Sequence, residues 1–222
     1  RSGFASNAIQ ILLDHRMIDA VLFDFDGVIR QWDEPDLWTF EAEAGIKPGT
    51  VFEAAFSTEL HDPLTRGELT WLEWRNETER RLVTQHGESV RPVAKRFFEF
   101  EGRIDTEMVE ILERLPSRLR VGLLTNNHDR FEEYLRRMGL DDRFDVVVNT
   151  HRIGTAKPDF GAYASATTQL GVEPKRCLFI DDLEANVAGG EAAGLICHLF
   201  RHPKGLIRRL EELGVVLADP HR

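Results

Sequence analysis

Ala20-Val21-Leu22-Phe23-Asp24-Phe25-Asp26-Gly27-Val28 carries an apolar run of strand length straight into two carboxylates and a glycine. Residues two apart in an extended chain point to the same side, so Asp24 and Asp26 crowd one site where the strand ends. Two acids so placed favour a hard divalent cation, and Mg²⁺ suits a few carboxylate oxygens completed by water and a substrate phosphate. Gly27 lets the chain turn away tightly. Alone, the same residues also serve to cap a turn at a strand end, so the rest of the chain has to decide between the two readings.

Four more apolar runs of strand length follow, at 121–124, 146–148, 177–180 and 196–200. Between the later ones, period-3.6 spacing predicts helices over 129–138, closed by Gly139, and over 160–170, closed by Gly171. Alternating strand and helix imply an α/β fold, a doubly wound parallel sheet covered on both faces. Asp24, Thr125, Asn149 and Asp181 each follow one of these runs. Ligands bind in the crevice at the carboxyl ends of such strands, so residues distant in sequence converge there.

Residues 31–103 break the alternation and read as an inserted, all-helical unit rich in Trp, Phe, Glu and Arg. Helical spacing covers 70–85 and 90–100, with turns expected at Asp62-Pro63 and Arg66-Gly67. The core is then 17–30 together with 104–222. Residues 1–16 form an N-terminal extension in which Ser6-Asn7-Ala8 resembles the remnant of a cleaved tag, and it is set aside.

Thirty-eight acidic side chains face 28 basic ones, which argues against nucleic acid as a partner. No apolar run approaches the roughly 18 residues of a membrane helix. Cys177 and Cys197, the two cysteines present, each sit in an apolar run and are expected as small buried hydrophobes in a reducing, cytoplasmic setting.

Chemistry gathers at the other strand ends. Thr125-Asn126-Asn127 sets a hydroxyl and an amide after a buried run, able to donate to phosphate oxygens or simply to form the turn, with Asp129 expected to cap the next helix. Lys157-Pro158 places a cation in a loop stiffened by proline; it either neutralises a transferring phosphoryl group or stands in solvent. Phe179-Ile180-Asp181-Asp182 repeats the first pattern ahead of a small-residue helix over 184–193 stopped by Gly194, with helix capping by Asp182 as the other reading.

Together, Asp24-Phe25-Asp26-Gly27-Val28, Thr125, Lys157-Pro158 and Asp181-Asp182 resemble the haloacid dehalogenase superfamily in order and spacing, over residues 18 to about 200. Residues 64–74 are similar to the helical cap of the C1 type found in its subfamily I. The resemblance implies a phosphatase acting on a small phosphorylated metabolite. Asp24 is then the nucleophile and Asp26 the acid and base. Mg²⁺ sits on Asp24, the Asp26 carbonyl and the Asp181-Asp182 pair, with Asp182 the better aligned. Thr125, Asn126 and Lys157 bind the phosphoryl oxygens. Asp26 separates this reading from the dehalogenases, which generally lack that second aspartate. A phosphomutase shares the whole catalytic set, and a catalytically silent binding module keeps only the fold. Tryptophans 38, 71 and 74 are expected in the core, Trp32 and Asp33 near the cleft, and His128 and His151 in solvent.

Overall fold

The computed structural model describes residues 18–32 and 36–219, so the N-terminal extension and Asp33 lie outside the described residues. The chain begins with β1 (Ala20–Phe23) and the two-residue strand β2 (Arg30–Gln31). Five helices follow: α1 (Leu37–Glu43), α2 (Thr50–Ala55), α3 (Thr58–Thr65), α4 (Trp71–His86) and α5 (Arg91–Glu99). The return is through β3 (Arg103–Ile104), α6 (Thr106–Arg114), β4 (Arg120–Thr125), α7 (Phe131–Arg137), β5 (Val146–Asn149) and α8 (Thr150–Ile153). Then come α9 (Phe160–Leu170), β6 (Cys177–Asp181), α10 (Glu184–Ala192), β7 (Ile196–Leu199) and α11 (Pro203–Glu212).

The five long strands form one parallel sheet in the order β5-β4-β1-β6-β7, with β1 in its centre. Strand pleat explains why every residue of β1 is apolar: Val21 and Phe23 enter one buried cluster with Leu178 and Ile180, while Ala20 and Leu22 enter a second with Cys177 and Phe179. The expected alternation is therefore observed, and the two faces are covered as a doubly wound sheet requires. Both cysteines are free thiols, each pushed up to about 12 chiefly by burial. Among the described residues, no helix is long and apolar enough to cross a membrane.

Helices α1 to α5 bury a cluster of their own around Leu37, Val51, Leu60, Trp74, Leu82 and Phe97. Helix α4 starts with a capping box in which Thr70 and Glu73 exchange side-chain and backbone bonds, a device worth about 1 kcal/mol. The chain enters and leaves this unit through β2 and β3, which pair antiparallel, Arg30 opposite Ile104 and Gln31 opposite Arg103. The helices dock on the sheet's carboxyl end. Arg66 meets Asp159 at 2.8 Å, and the His151 ring lies 2.8 Å from the Leu64 carbonyl. Gly67, at φ +77°, lets the backbones close in, since a Cβ there would stand 2.4 Å from the His151 carbonyl oxygen.

Two local expectations are corrected. Asp62-Pro63 lies inside α3 instead of forming a turn. Proline removes one helical N–H, but the helix ends two residues later, and buried Leu60 and Leu64 hold that face down. Asp129 does not cap α7, which starts at Phe131 with no side-chain cap. Its carboxylate accepts instead from the Trp71 N–H at 2.6 Å, satisfying a first-turn donor of α4 across the interface.

Candidate active site

The carboxyl end of β1 places Asp24 beside the ends of β4 and β6 because those strands flank it in register. Lys157, brought in by the loop between α8 and α9, is almost fully buried. Its Nζ lies 2.7 Å from Asp24 Oδ1 and 2.7 Å from Asp181 Oδ2. An ammonium is expensive to bury, yet its pKa is raised, because the two carboxylates outweigh desolvation. Lys157 is thus a structural counter-charge, not a solvated loop residue.

Asp24, Asp181 and Asp182 hold carboxylate oxygens within 4.8 Å of one another. Burial first, and then Asp181, push the Asp24 carboxyl well above its ordinary range against the pull of Lys157. Asp182 is raised by burial and by Asp181. The two neighbouring acids differ in how their oxygens are used. Asp181 Oδ1 accepts from the Leu183 N–H at 2.9 Å and from Asn186 at 3.0 Å, while Oδ2 takes Lys157 and Asn186. So Asp181, not Asp182, receives a backbone N–H at the start of α10. The Asp182 carboxylate stands against Gly27, where a Cβ would meet its Oδ2 at 2.2 Å and where φ is +80°. Only glycine lets these two loops touch.

Asp26 is gripped by four donors: Arg30 Nε at 2.5 Å and Nη2 at 2.9 Å, Trp32 Nε1 at 2.7 Å and Asn127 Nδ2 at 3.0 Å. Burial alone would raise its pKa, but Arg30 and then Trp32 hold it below the ordinary carboxylate value. Arg30 is itself buried, with its guanidinium 4.6 Å from the Trp32 ring centroid and 4.7 Å from that of Tyr134.

Thr125 is buried at the end of β4, its hydroxyl 3.3 Å from Asn127 Nδ2. The Asn126 side chain makes two bonds to the backbone of Lys157, Oδ1 to its N–H at 2.9 Å and Nδ2 to its carbonyl at 3.0 Å. It fixes the lysine. His128 lines the same cavity with Nδ1 accepting from the Arg130 N–H at 3.2 Å, and burial, helped by Arg30, lowers its pKa to about 4. Neither His128 nor His151 is the solvated residue expected.

All of the predicted site residues except Asp181 line one cavity of about 700 Å³ between sheet and helices, and Asp181 lies directly behind Lys157. Sequence reasoning missed Arg30, Asn127 and Asn186. A signal existed for the first, an opposite charge four residues after Asp26 across a glycine turn. Of the tryptophans, Trp38 is 66% exposed instead of lying in the core, Trp74 is buried at the cavity wall, and Trp32 and Trp71 line the same cavity.

A parallel sheet with acids and a lysine meeting at its strand ends is the framework of a hydrolase with a Rossmann-like core. The chain matches the family model for haloacid dehalogenase-like hydrolases over residues 18–194, and it belongs to that family. It is 31% identical to Phosphatase MT3486 of Mycobacterium tuberculosis over 90% of this chain and 97% of the relative. It is 27% identical to a phosphorylated carbohydrates phosphatase of Thermotoga maritima, over 91% and 95%. The fold is shared, at a TM-score of 0.66 and 21% identity, with the HAD family enzyme bt-2542 of Bacteroides thetaiotaomicron, over 83% of this chain and 94% of that one. That protein was crystallised with magnesium and inorganic phosphate. The chain is a phosphatase of this superfamily.

Proposed function

We propose that the protein hydrolyses small phosphate monoesters with Mg²⁺, carrying the phosphoryl group transiently on Asp24. The observation that carries this reading is a charge imbalance: three carboxylates, those of Asp24, Asp181 and Asp182, gather with one ammonium, that of Lys157, so the cluster falls two positive charges short when all its groups are ionised. An all-oxygen donor set with that deficit fits a hard divalent cation. Asp24 and Asp182 would hold it, with the Asp26 carbonyl, while Asp181 is occupied in orienting Lys157 and Asn186. Bound there, magnesium supplies the positive charge that keeps Asp24 ionised and withdraws charge from the phosphoryl oxygens.

The chain's own groups perform the rest. Asp24 attacks phosphorus and the ester P–O bond breaks, the departing alkoxide taking a proton from Asp26. Asp26 then removes a proton from the water that attacks the aspartyl phosphate, releasing inorganic phosphate and restoring Asp24. In the grip of Arg30 the Asp26 carboxyl is ionised. It takes up its proton as the anionic ester enters, since a like charge beside a carboxylate favours protonation. Lys157, held by Asn126, and the Thr125 hydroxyl face the phosphoryl oxygens, and Asn126 contributes its backbone N–H. Helices α1 to α5 act as a cap that excludes water from the first step.

The test is hydrolysis of p-nitrophenyl phosphate with and without Mg²⁺, alongside Asp24→Asn. We expect chelation to abolish turnover and the variant to lose roughly a thousandfold or more in kcat with its fold retained. Near wild-type turnover by the folded variant removes Asp24 as nucleophile.

A further inference from the structure

The cavity is much larger than a phosphate group, and its two halves differ in chemistry. The floor is the acid–lysine cluster. The walls, supplied by α2 to α5, the β2–β3 connections and α7, are mostly rings, among them Trp32, Phe56, Trp71, Phe98, Phe100 and Tyr134.

Most polar handles on those rings are already spent. Trp32 Nε1 donates to Asp26, Trp74 Nε1 to the Ala55 carbonyl at 2.7 Å, and the Tyr134 hydroxyl to the Glu101 carbonyl at 2.9 Å. Arg30 is committed to Asp26, and Arg137 to Glu101. Burial lowers the pKa of His61, the histidine on the helical wall. What the wall chiefly presents to a ligand is ring faces and edges, with Arg130, Glu133 and the imidazoles of His61 and His128 as polar groups among them. Trp71 is one of these rings, with the Arg130 guanidinium 4.2 Å from its centroid and the Phe98 ring at a centroid distance of 6.2 Å.

Resting on the phosphatase reading above, we infer that the alcohol this enzyme releases carries a flat aromatic or heteroaromatic ring: the substrate is the phosphate monoester of a ring-bearing alcohol, not of a polyhydroxylated sugar. A ring buries apolar area against this wall and stacks or meets it edge-on. A sugar brings several hydroxyls, and each one that comes to lie against a ring loses water without gaining a partner, at a cost of roughly fivefold to a hundredfold in binding. The phosphate is recognised equally in both cases, so the wall decides.

The experiment compares kcat/KM of the full chain with Mg²⁺ for 2-phenylethyl and 2-(1-naphthyl)ethyl phosphates against glucose 6-phosphate and glycerol 3-phosphate. All four are esters of primary alcohols, so leaving-group chemistry is matched, and p-nitrophenyl phosphate monitors phosphoryl transfer itself. The expected result is a preference of more than about tenfold for the ring esters. A smaller preference, with p-nitrophenyl phosphate still hydrolysed, overturns the ring-bearing class and leaves the phosphatase reading intact. Absence of hydrolysis of every ester removes both. Trp71→Ala is expected to lower the ratio at least severalfold and Trp71→Phe to preserve most of it. A Trp71→Ala protein that keeps the whole ratio overturns the assignment of this wall.

Discussion

Replacing Lys157 by Met, a side chain of similar length without charge, isolates the electrostatics of the cavity floor. The ammonium touches Asp24 and Asp181 at 2.7 Å each, and all three side chains are at most 7% exposed. At an effective dielectric of about 20 each contact contributes on the order of 6 kcal/mol of attraction, most of it offset by the several kcal/mol needed to desolvate each ion. Removal of one partner is not offset, because it strands buried carboxylates, and costs about 3–5 kcal/mol. In chelator at pH 7 the urea midpoint should therefore fall by about 1–2.5 M, for a slope of about 2–3 kcal/mol per M. The pH dependence has a definite sign. Asp24 already has a raised pKa, and losing Lys157 raises it further. Its charge then opposes folding above the raised value, and the deficit shrinks as pH falls through that value toward the unfolded one. A loss below about 1 kcal/mol at pH 7, or one unchanged on acidification, would refute the buried counter-charge.

Gly27→Ala combines a left-handed φ with a Cβ 2.2 Å from Asp182 Oδ2. It should destabilise by about 1–2 kcal/mol and weaken magnesium activation at least tenfold, so native metal dependence in a titration would contradict the close approach. Arg30→Met and Arg30→Lys should both reduce kcat by about tenfold, since a point charge does not reproduce the two-atom grip on Asp26; full activity in the Lys variant would show that charge alone suffices. Because the pKa of His128 lies near 4 in the fold, its neutral form contributes stability that is complete above about 6.5 and lost as pH falls toward 4, at most about 2 kcal/mol by pH 5. Acid denaturation of His128→Gln should lack that component, and parallel stability curves from pH 7 to 5 would exclude it.

The sheet was legible because its strands are buried on both faces and so appear as unbroken apolar runs; 20–23 coincides with β1, and 160–170 with α9. The principal acids were legible for the same reason, since each ends such a run. What escaped was pairing between side chains distant in sequence. Nothing near Asn126 announces that its amide clamps the backbone of a residue 31 positions later, and nothing near Asp129 announces that it serves a helix 58 positions earlier. Proline punctuation failed at Pro63, where tertiary burial of Leu60 and Leu64 outweighs a local rule. Trp32 was expected near the cleft and lines it, but that its indole N–H and the Arg30 guanidinium both donate to Asp26 is a pairing that no strand or helix period announces.

The paired strands β2 and β3 bring the two crossings of the chain to neighbouring positions, Arg30 beside Ile104. Adjacent strands lie about 4.8 Å apart, so the sheet presents the same narrow doorway whatever is built beyond it. Seventy-odd residues can be lengthened, shortened or exchanged there without altering one hydrogen bond of the central sheet. The helical unit can therefore vary in size while the strand ends that carry Asp24, Thr125 and Asp181 keep their places.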